Sequence, residues 1–321
     1  MSPTTEQIED IYRGFDPKGS ARIDAASNGG SKFLYYTSAS TARSIFTKGE
    51  LWLCSTICMN DHQEVDANFG TLAKESATFL GQALHEVISS VHKGLGDDLL
   101  IRTLAEWRTQ MFQHTYIACV SEKTSLEGND GRLTMWRGYG ANAPVAIVLR
   151  SEEVLKRGAF QGLKMRPVNY WSSNDFQQHL QDAVRHIGAN TNLLRALPYE
   201  QSKSLLFTWL SDFITCTKHR GFGEENEWRV RLELIQGEFA PKIASSFEDV
   251  RGVLQQVVKA KLFEESDRAK MIQSMVEKII VGPMPYQIPV AIAMRETLRE
   301  VGAADIPVVT STIPYRRHQS S

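Results

Sequence analysis

The sequence predicts an α+β fold, and three observations carry that expectation. Roughly eight strand-like segments are scattered among helical ones, and the helices are inserted between strands rather than alternating with them one for one. A long helical stretch, about residues 64–114, interrupts the strands. No repeat, low-complexity tract or linker composition divides the 321 residues, which are enough to bury a large core in one domain.

Residues 1–32 read as a short helix near Thr5 to Tyr12 and then a loose linker ending in Asn28-Gly29-Gly30-Ser31. Residues 33–321 read as a single α+β domain. Phe33 to Thr37 is aromatic and β-prone. Ser38 or Ser40 caps a helix with an Ala42, Ile45, Phe46 stripe, and Lys48-Gly49 ends it. Leu51 to Ser55 is a second strand, and Met59-Asn60-Asp61 a turn. The 64–114 insertion is broken at Gly94-Leu95-Gly96-Asp97. Strands follow at Tyr116 to Ser121, Val145 to Leu149 and Leu163 to Val168, with helices at 174–188 and 199–218. A strand from Glu225 to about Leu234 comes next. After a loop at Gly237 and Pro241, helices are expected near 247–262 and 265–276. The chain closes as strand, helix, strand at 278–281, 289–301 and 306–310.

Composition narrows the function. The net charge of -1 provides no global attraction for polyanions, so nucleic-acid binding would need a local patch. No apolar run reaches the roughly 18 residues of a membrane span, and Met1 to Asp16 lack a signal-peptide core. The expected compartment is the cytoplasm, with no membrane partner. Cys54 and Cys58, with His62 four residues on, lack a second ligand pair at zinc spacing. No metal is expected, and the four cysteines read as reduced thiols. Gly-x-x-x-x-Gly-Lys-Ser/Thr, Gly-x-Gly-x-x-Gly after a strand, His-Glu-x-x-His and Gly-x-Ser-x-Gly are all absent, which argues against P-loop, dinucleotide-fold, zincin and nucleophile-elbow chemistry.

The richest stretch is Gly221-Phe222-Gly223-Glu224-Glu225-Asn226-Glu227-Trp228-Arg229. Period-two alternation puts Glu225, Glu227, Arg229 and Arg231 on one strand face, about 7 Å apart, and Trp228, Val230 and Leu232 on the other. Two carboxylates on one face suit cleavage of a glycosidic bond, one stabilising an oxocarbenium-like centre and the other accepting a proton. The same row also fits a solvated face whose Glu and Arg pair across strands. Tyr35, Tyr36, Thr37 and Ser38 lie where a strand meets a helix and can hold a polar ligand, or serve as core and cap. Ser121 ends a strand. Trp136 and Tyr139 can stack on a planar ring or fill core.

Taken in order, these pieces resemble a widespread bacterial domain-of-unknown-function family. Its opening signature is matched by Leu34-Tyr35-Tyr36-Thr37-Ser38, Gly49-Glu50-Leu51-Trp52 and Met59-Asn60-Asp61. Its middle is matched by Cys119-Val120-Ser121 and Met135-Trp136-Arg137-Gly138-Tyr139, and its late signature by Gly221 to Arg229. The arrangement looks like the ADP-ribosyltransferase superfamily, with three motifs on three strands. That resemblance implies a split mixed β-sheet and an enzyme that uses NAD as substrate and passes ADP-ribose to a protein or nucleic-acid acceptor, in a toxin or phage-defence setting. It assigns Glu227 and Glu225 as catalytic. Tyr35, Thr37 and Ser38 would hold the ribose or phosphate; Ser121, Trp136 and Tyr139 would lie near nicotinamide. Tyr35 stands where a His or Arg is expected, with Arg43, Arg132 or Arg137 to supply the charge. It requires Tyr35, Ser121 and Glu227 to line one cleft. The alternative is a non-catalytic nucleotide or nucleic-acid module using Lys218, His219, Arg220, Arg229 and Arg231.

Overall fold

The computed structural model describes residues 3–56, 62–139, 143–160, 162–233, 243–250 and 252–314. Cys58, the Met59-Asn60-Asp61 turn, Gly140, the loop at Gly237 and Pro241, and Tyr315 to Arg317 lie outside them. The architecture is mixed α+β. Its strands, in chain order, are β1 (Lys32–Ser38), β2 (Glu50–Ser55), β3 (Thr115–Glu122), β4 (Pro144–Arg150), β5 (Lys164–Pro167) and β6 (Asn169–Trp171). Then come β7 (Thr217–His219), β8 (Glu227–Glu233), β9 (Ile243–Val250), β10 (Val253–Lys261), β11 (Val276–Val281) and β12 (Val308–Thr310). No described helix is long and apolar enough to cross a membrane.

The chain forms two compact units, each built of three segments. Because the segments interleave, no linker composition marks the division. The first unit takes Met1–Ile23, Ser55–Thr115 and Arg166–Gly223 and is mainly helical. Thr4 and Gln7 form a capping box at the start of the Thr5–Gly14 helix. The expected linker after it is instead helical over Pro17–Ser27, with proline at the first helical position, where its missing N–H costs nothing. The 64–114 insertion resolves into helices His62–Ser76, Phe79–Val91 and Leu104–His114, with a π-helical turn at Asp97–Thr103. Helices Ser173–Arg195 and Tyr199–Thr215 complete the unit. Phe69, Leu84, Ile88, Leu180, Ile187 and Leu210 are among the side chains of its core. Asn68 Nδ2 donates to the carbonyls of Ile214 (2.9 Å) and Thr217 (2.8 Å), satisfying acceptors left open where the Tyr199–Thr215 helix ends.

His179 packs against this core, stacked on Phe213 with ring centroids 5.0 Å apart and planes 9° apart. Burial lowers its pKa from 6.5 to about 4, against the pull of the Asp16 and Asp182 carboxylates. The unfolded chain therefore takes up a proton near pH 6.5 that the folded chain refuses until about pH 4. The stability this contributes is complete above the unfolded value and is lost as pH falls through that window, on the order of 3 kcal/mol. His179→Phe is expected to flatten the dependence of melting temperature on pH over the same interval. A slope unchanged by the substitution would contradict this.

The second unit takes Asp24–Cys54, Tyr116–Met165 and Glu224–Ser321. Its sheet runs β12-β11-β4-β1-β3-β2-β10-β9 and branches at β3, where β8 also pairs, with β5 beyond it. β11 and β12 are parallel, whereas β1 is antiparallel to both β3 and β4, so the sheet is mixed. On one face, Val145, Ile147, Ile279 and Val281 pack under helices Ala39–Lys48, Arg268–Met275 and Gln287–Glu300. On the other, Leu34, Tyr36, Ala146, Val148 and Ile280 pack with Met135 and Trp136 of the short helix Leu133–Tyr139.

β1, β2 and the helix between them follow the sequence reading. Thr41 N–H donates to the Ser38 hydroxyl at 3.1 Å, and Gly49 closes the helix at φ 70°. Residues 247–262 do not. The described residues among them lie mainly in the antiparallel pair β9 and β10, and Gly252 just before β10 has φ 83° and an N–H that donates to Asp249 Oδ1 at 2.8 Å. Val253, Val257 and Val258 favour strand, and β10 gains a full antiparallel register with β2 from Val257↔Cys54 to Lys261↔Glu50. Sheet pairing outweighs the weak helical periodicity there.

Candidate functional site

The site is built where β1, β3 and β8 lie side by side. Leu34 pairs with Ser121 across β1 and β3, so the two side chains share a face. Tyr36 and Cys119 are two residues away on the same side. β8 reaches β3 after a sharp turn. The Arg220–Glu225 segment is a 3-10 helix, and Asn226 has φ 44°, the one described non-glycine residue with positive φ. β8 then begins at Glu227. Glu225 and Glu227 are thus not successive positions of one strand, yet both line a single cleft with Leu34, Tyr36, Ser121 and Tyr139. Its volume is about 20 Å³, room for about one water molecule.

Four ties hold the turn. The Ser121 hydroxyl donates to the Glu225 carbonyl at 2.8 Å. Asn226 Nδ2 donates to the Glu122 carbonyl at 3.0 Å, and Glu122 N–H to the Asn226 carbonyl at 2.7 Å. The Arg132 guanidinium donates to the carbonyls of Glu224 and Glu122 and pairs with Glu127. Trp228, on the opposite side of β8 from Glu227, donates its indole N–H to Glu122 Oε2 at 2.9 Å and packs on Phe33. Asparagine tolerates the left-handed region better than other side chains. Asn226→Ala is therefore expected to cost about 2 kcal/mol, from backbone strain and the lost bond. Asn226→Gly, which relieves the strain, should cost about half as much. Denaturant melts of the two variants check this, and equal losses would show that the backbone conformation contributes nothing.

The charged row is not solvated. Glu227, Arg229 and Arg231 are 3 %, 1 % and 1 % exposed. Arg229 Nε donates to Glu227 Oε1 at 2.9 Å, a buried ion pair along one strand. The expected half-buried strand is buried on both faces. Lys218 is buried too, its ammonium 5.2 Å from the Phe222 ring centroid. Of the five basic residues assigned to a nucleic-acid surface, His219 and Arg220 alone are exposed.

The other expected residues divide. Ser121, Tyr139, Glu225 and Glu227 meet in the cleft. Tyr35 does not: it packs against the Ala42 and Phe46 cluster on the far face of the sheet, Thr37, two residues on, shares that face, and the required cleft of Tyr35, Ser121 and Glu227 is not formed. Ser38 is a helix cap. Trp136 is core. Its indole N–H donates to the Asp130 carbonyl at 2.8 Å, and its ring meets Tyr36 edge-on at 4.7 Å. A Cβ on Gly131 or Gly282 would lie 2.6 or 2.8 Å from that ring, so both positions need glycine for the indole to seat.

Tyr36 takes the cleft position that Tyr35 was expected to hold. Its hydroxyl accepts from the Arg132 N–H at 2.8 Å, and burial holds its pKa well above the ordinary phenol value. It is a neutral hydroxyl. Among the arginines expected to supply charge, Arg43 is engaged by Glu300 at 2.8 Å and by Thr297, while Arg137 is exposed. Arg132 is held by the Glu224 and Glu122 carbonyls and by Glu127, and Glu127 is the residue of this group that the sequence reading did not name. Among the described residues, no cluster of three or more His, Cys, Asp or Glu side chains is arranged to hold a metal.

No curated protein and no solved structure matches the chain. Residues 135–230 match the family described as Protein of unknown function (DUF2971), a stretch that begins at the cleft's Met135 and takes in Tyr139, Glu225 and Glu227 but not Tyr36 or Ser121.

Proposed function

We propose that this cleft belongs to an ADP-ribosyltransferase-like enzyme that cleaves NAD and passes ADP-ribose to a protein or nucleic-acid acceptor. The observation that carries the reading is the convergence of three motif strands. β1, β3 and β8 are consecutive neighbours, and Tyr36, Ser121 and Glu227 from them line one cleft with Glu225 and Tyr139. Tyr36 replaces Tyr35 in the first motif and contributes a hydrogen-bonding hydroxyl rather than a charge.

In this reading the bond between the nicotinamide nitrogen and ribose C1′ breaks, and its electron pair leaves with nicotinamide. Glu227 holds the 2′-hydroxyl and offsets the positive charge growing on the ribose. Arg229 orients that carboxylate through its 2.9 Å bond. Glu225 takes the acceptor's proton as the acceptor bonds to C1′. Ser121 is a positioning residue, since its hydroxyl is committed to the Glu225 carbonyl.

A cleft of about 20 Å³ is too small for a ribose. Substrate entry requires the half-buried Tyr139, at the end of the Leu133–Tyr139 helix, to swing out. Incubation with NAD labelled in its adenylate half and with cell extract tests the reading. Label transferred to a macromolecule, with stoichiometric nicotinamide release, is expected. Absence of both, from folded protein across a range of extracts, contradicts it. A toxin or phage-defence role would follow from the identity of the labelled acceptor.

A further inference from the structure

The first unit contains a second and larger cavity, about 150 Å³, the size of void that accepts one benzene-sized ring. Phe15, Trp171, His179, Trp209 and Phe213 line it with Tyr12. The rings form two stacked pairs, with Trp209 and Phe213 of the two pairs 6.2 Å and 31° apart. Phe15 and Trp209 stack at 4.6 Å and 16°, and His179 and Phe213 at 5.0 Å and 9°. Trp171 lies 4.7 Å from His179 at 35°. Aromatic walls suit a flat ring or a cation alike, so the hydrogen-bonding groups decide between them.

The polar groups narrow the ligand further. Three carboxylates, of Glu9, Asp16 and Asp212, face two guanidiniums, of Arg13 and Arg166. The cavity is therefore unsuited to an anion. Asp212 is committed to Arg166 at 3.0 Å and to the Tyr12 hydroxyl. Asp16 is different. It accepts from Asn169 Nδ2 and from the Gly19 N–H, each at 2.9 Å, and among the described residues no cation pairs with it. A carboxylate so placed is an acceptor for an amine. Trp209 Nε1 donates to His179 Nε2 at 3.4 Å, which leaves the N–H of the neutral imidazole on Nδ1 as a donor.

We infer that this cavity binds a planar amino-bearing heteroaromatic ring, a nucleobase of the adenine or cytosine type, held among these rings with its amine on Asp16 and a ring nitrogen on the His179 N–H. The inference rests on residues of the first unit alone and is independent of the reading of the Glu227 cleft.

The test uses nucleosides, which lack the diphosphate of NAD. The full chain is titrated with adenosine, cytidine, uridine and choline, followed by tryptophan fluorescence and melting temperature. Saturable quenching by adenosine or cytidine, with a rise in melting temperature, is expected. Uridine, which has no amine, should bind about tenfold more weakly, as should the preferred base to Asp16→Asn. Saturation-transfer NMR on the unaltered chain reads the same contacts through the base protons, so the outcome does not depend on the variant folding. The inference is overturned if neither amino-bearing base binds at about millimolar concentration, if choline binds and they do not, or if uridine and Asp16→Asn show undiminished affinity.

Discussion

Glu227→Gln is expected to lower nicotinamide release roughly 10²–10³-fold, the scale of removing one group that stabilises charge in a transition state. The substitution keeps the shape and leaves an oxygen to accept from Arg229, but it removes the negative charge that offsets a cationic ribose. It also removes the charge from the buried Glu227–Arg229 ion pair, at about 3 kcal/mol of stability. The two effects separate by measurement. Activity is assayed well below the melting temperature of the variant, with the helical circular dichroism unchanged. Glu225→Gln is the companion. Glu225 is half-buried and is assigned to the acceptor's proton, so this variant should retain nicotinamide release while label transfer falls. A folded Glu227→Gln protein that releases nicotinamide at the original rate removes the chemical role given to that carboxylate.

Arg132→Met is expected to be the most destabilising single change near the cleft, by about 3–5 kcal/mol. The guanidinium joins the carbonyls of Glu224 and Glu122 to the Glu127 carboxylate. Glu127 is itself buried, and among the described residues its Oε2 has no hydrogen-bond partner, so loss of Arg132 strands a buried charge. Adding Glu127→Gln should restore a large part of the loss, because the stranded charge, rather than the missing contact, carries most of the cost. Urea melts of the two single variants and the double variant form the cycle. Additive losses would show that Arg132 acts mainly through the two carbonyls.

The parts of the fold legible in the sequence are those set by local chemistry. Ser38 caps a helix, Gly49 ends it in the left-handed region, and Phe33 to Thr37 lies in strand, each as its residue type dictates. The parts that were not legible depend on long-range pairing. The stretch expected as a helix at 247–262 instead falls mainly in strands β9 and β10, because β10 registers against β2. Pro17–Ser27 became a helix where glycine and serine suggested a linker. Within the site, Glu227, Ser121 and Tyr139 were reached through the resemblance of their motifs, taken in order, and not from residue type alone. The same resemblance points to Tyr35 rather than Tyr36, and alternation does not correct it, because it does not say which face of β1 meets the cleft. The Arg229 and Arg231 guanidiniums looked solvated for a related reason: period two separates the faces of a strand but does not report what covers them.

The most direct test of the central claim is a crystal structure of the protein with a non-cleavable NAD analogue. The expected result places the nicotinamide ribose against Glu227, its 2′-hydroxyl within about 3 Å of the carboxylate. It also places the Tyr36 hydroxyl beside the ligand, with the Tyr139 side chain displaced. An analogue that binds elsewhere while Tyr36, Ser121, Tyr139 and Glu227 remain closed around a water-sized space would contradict it.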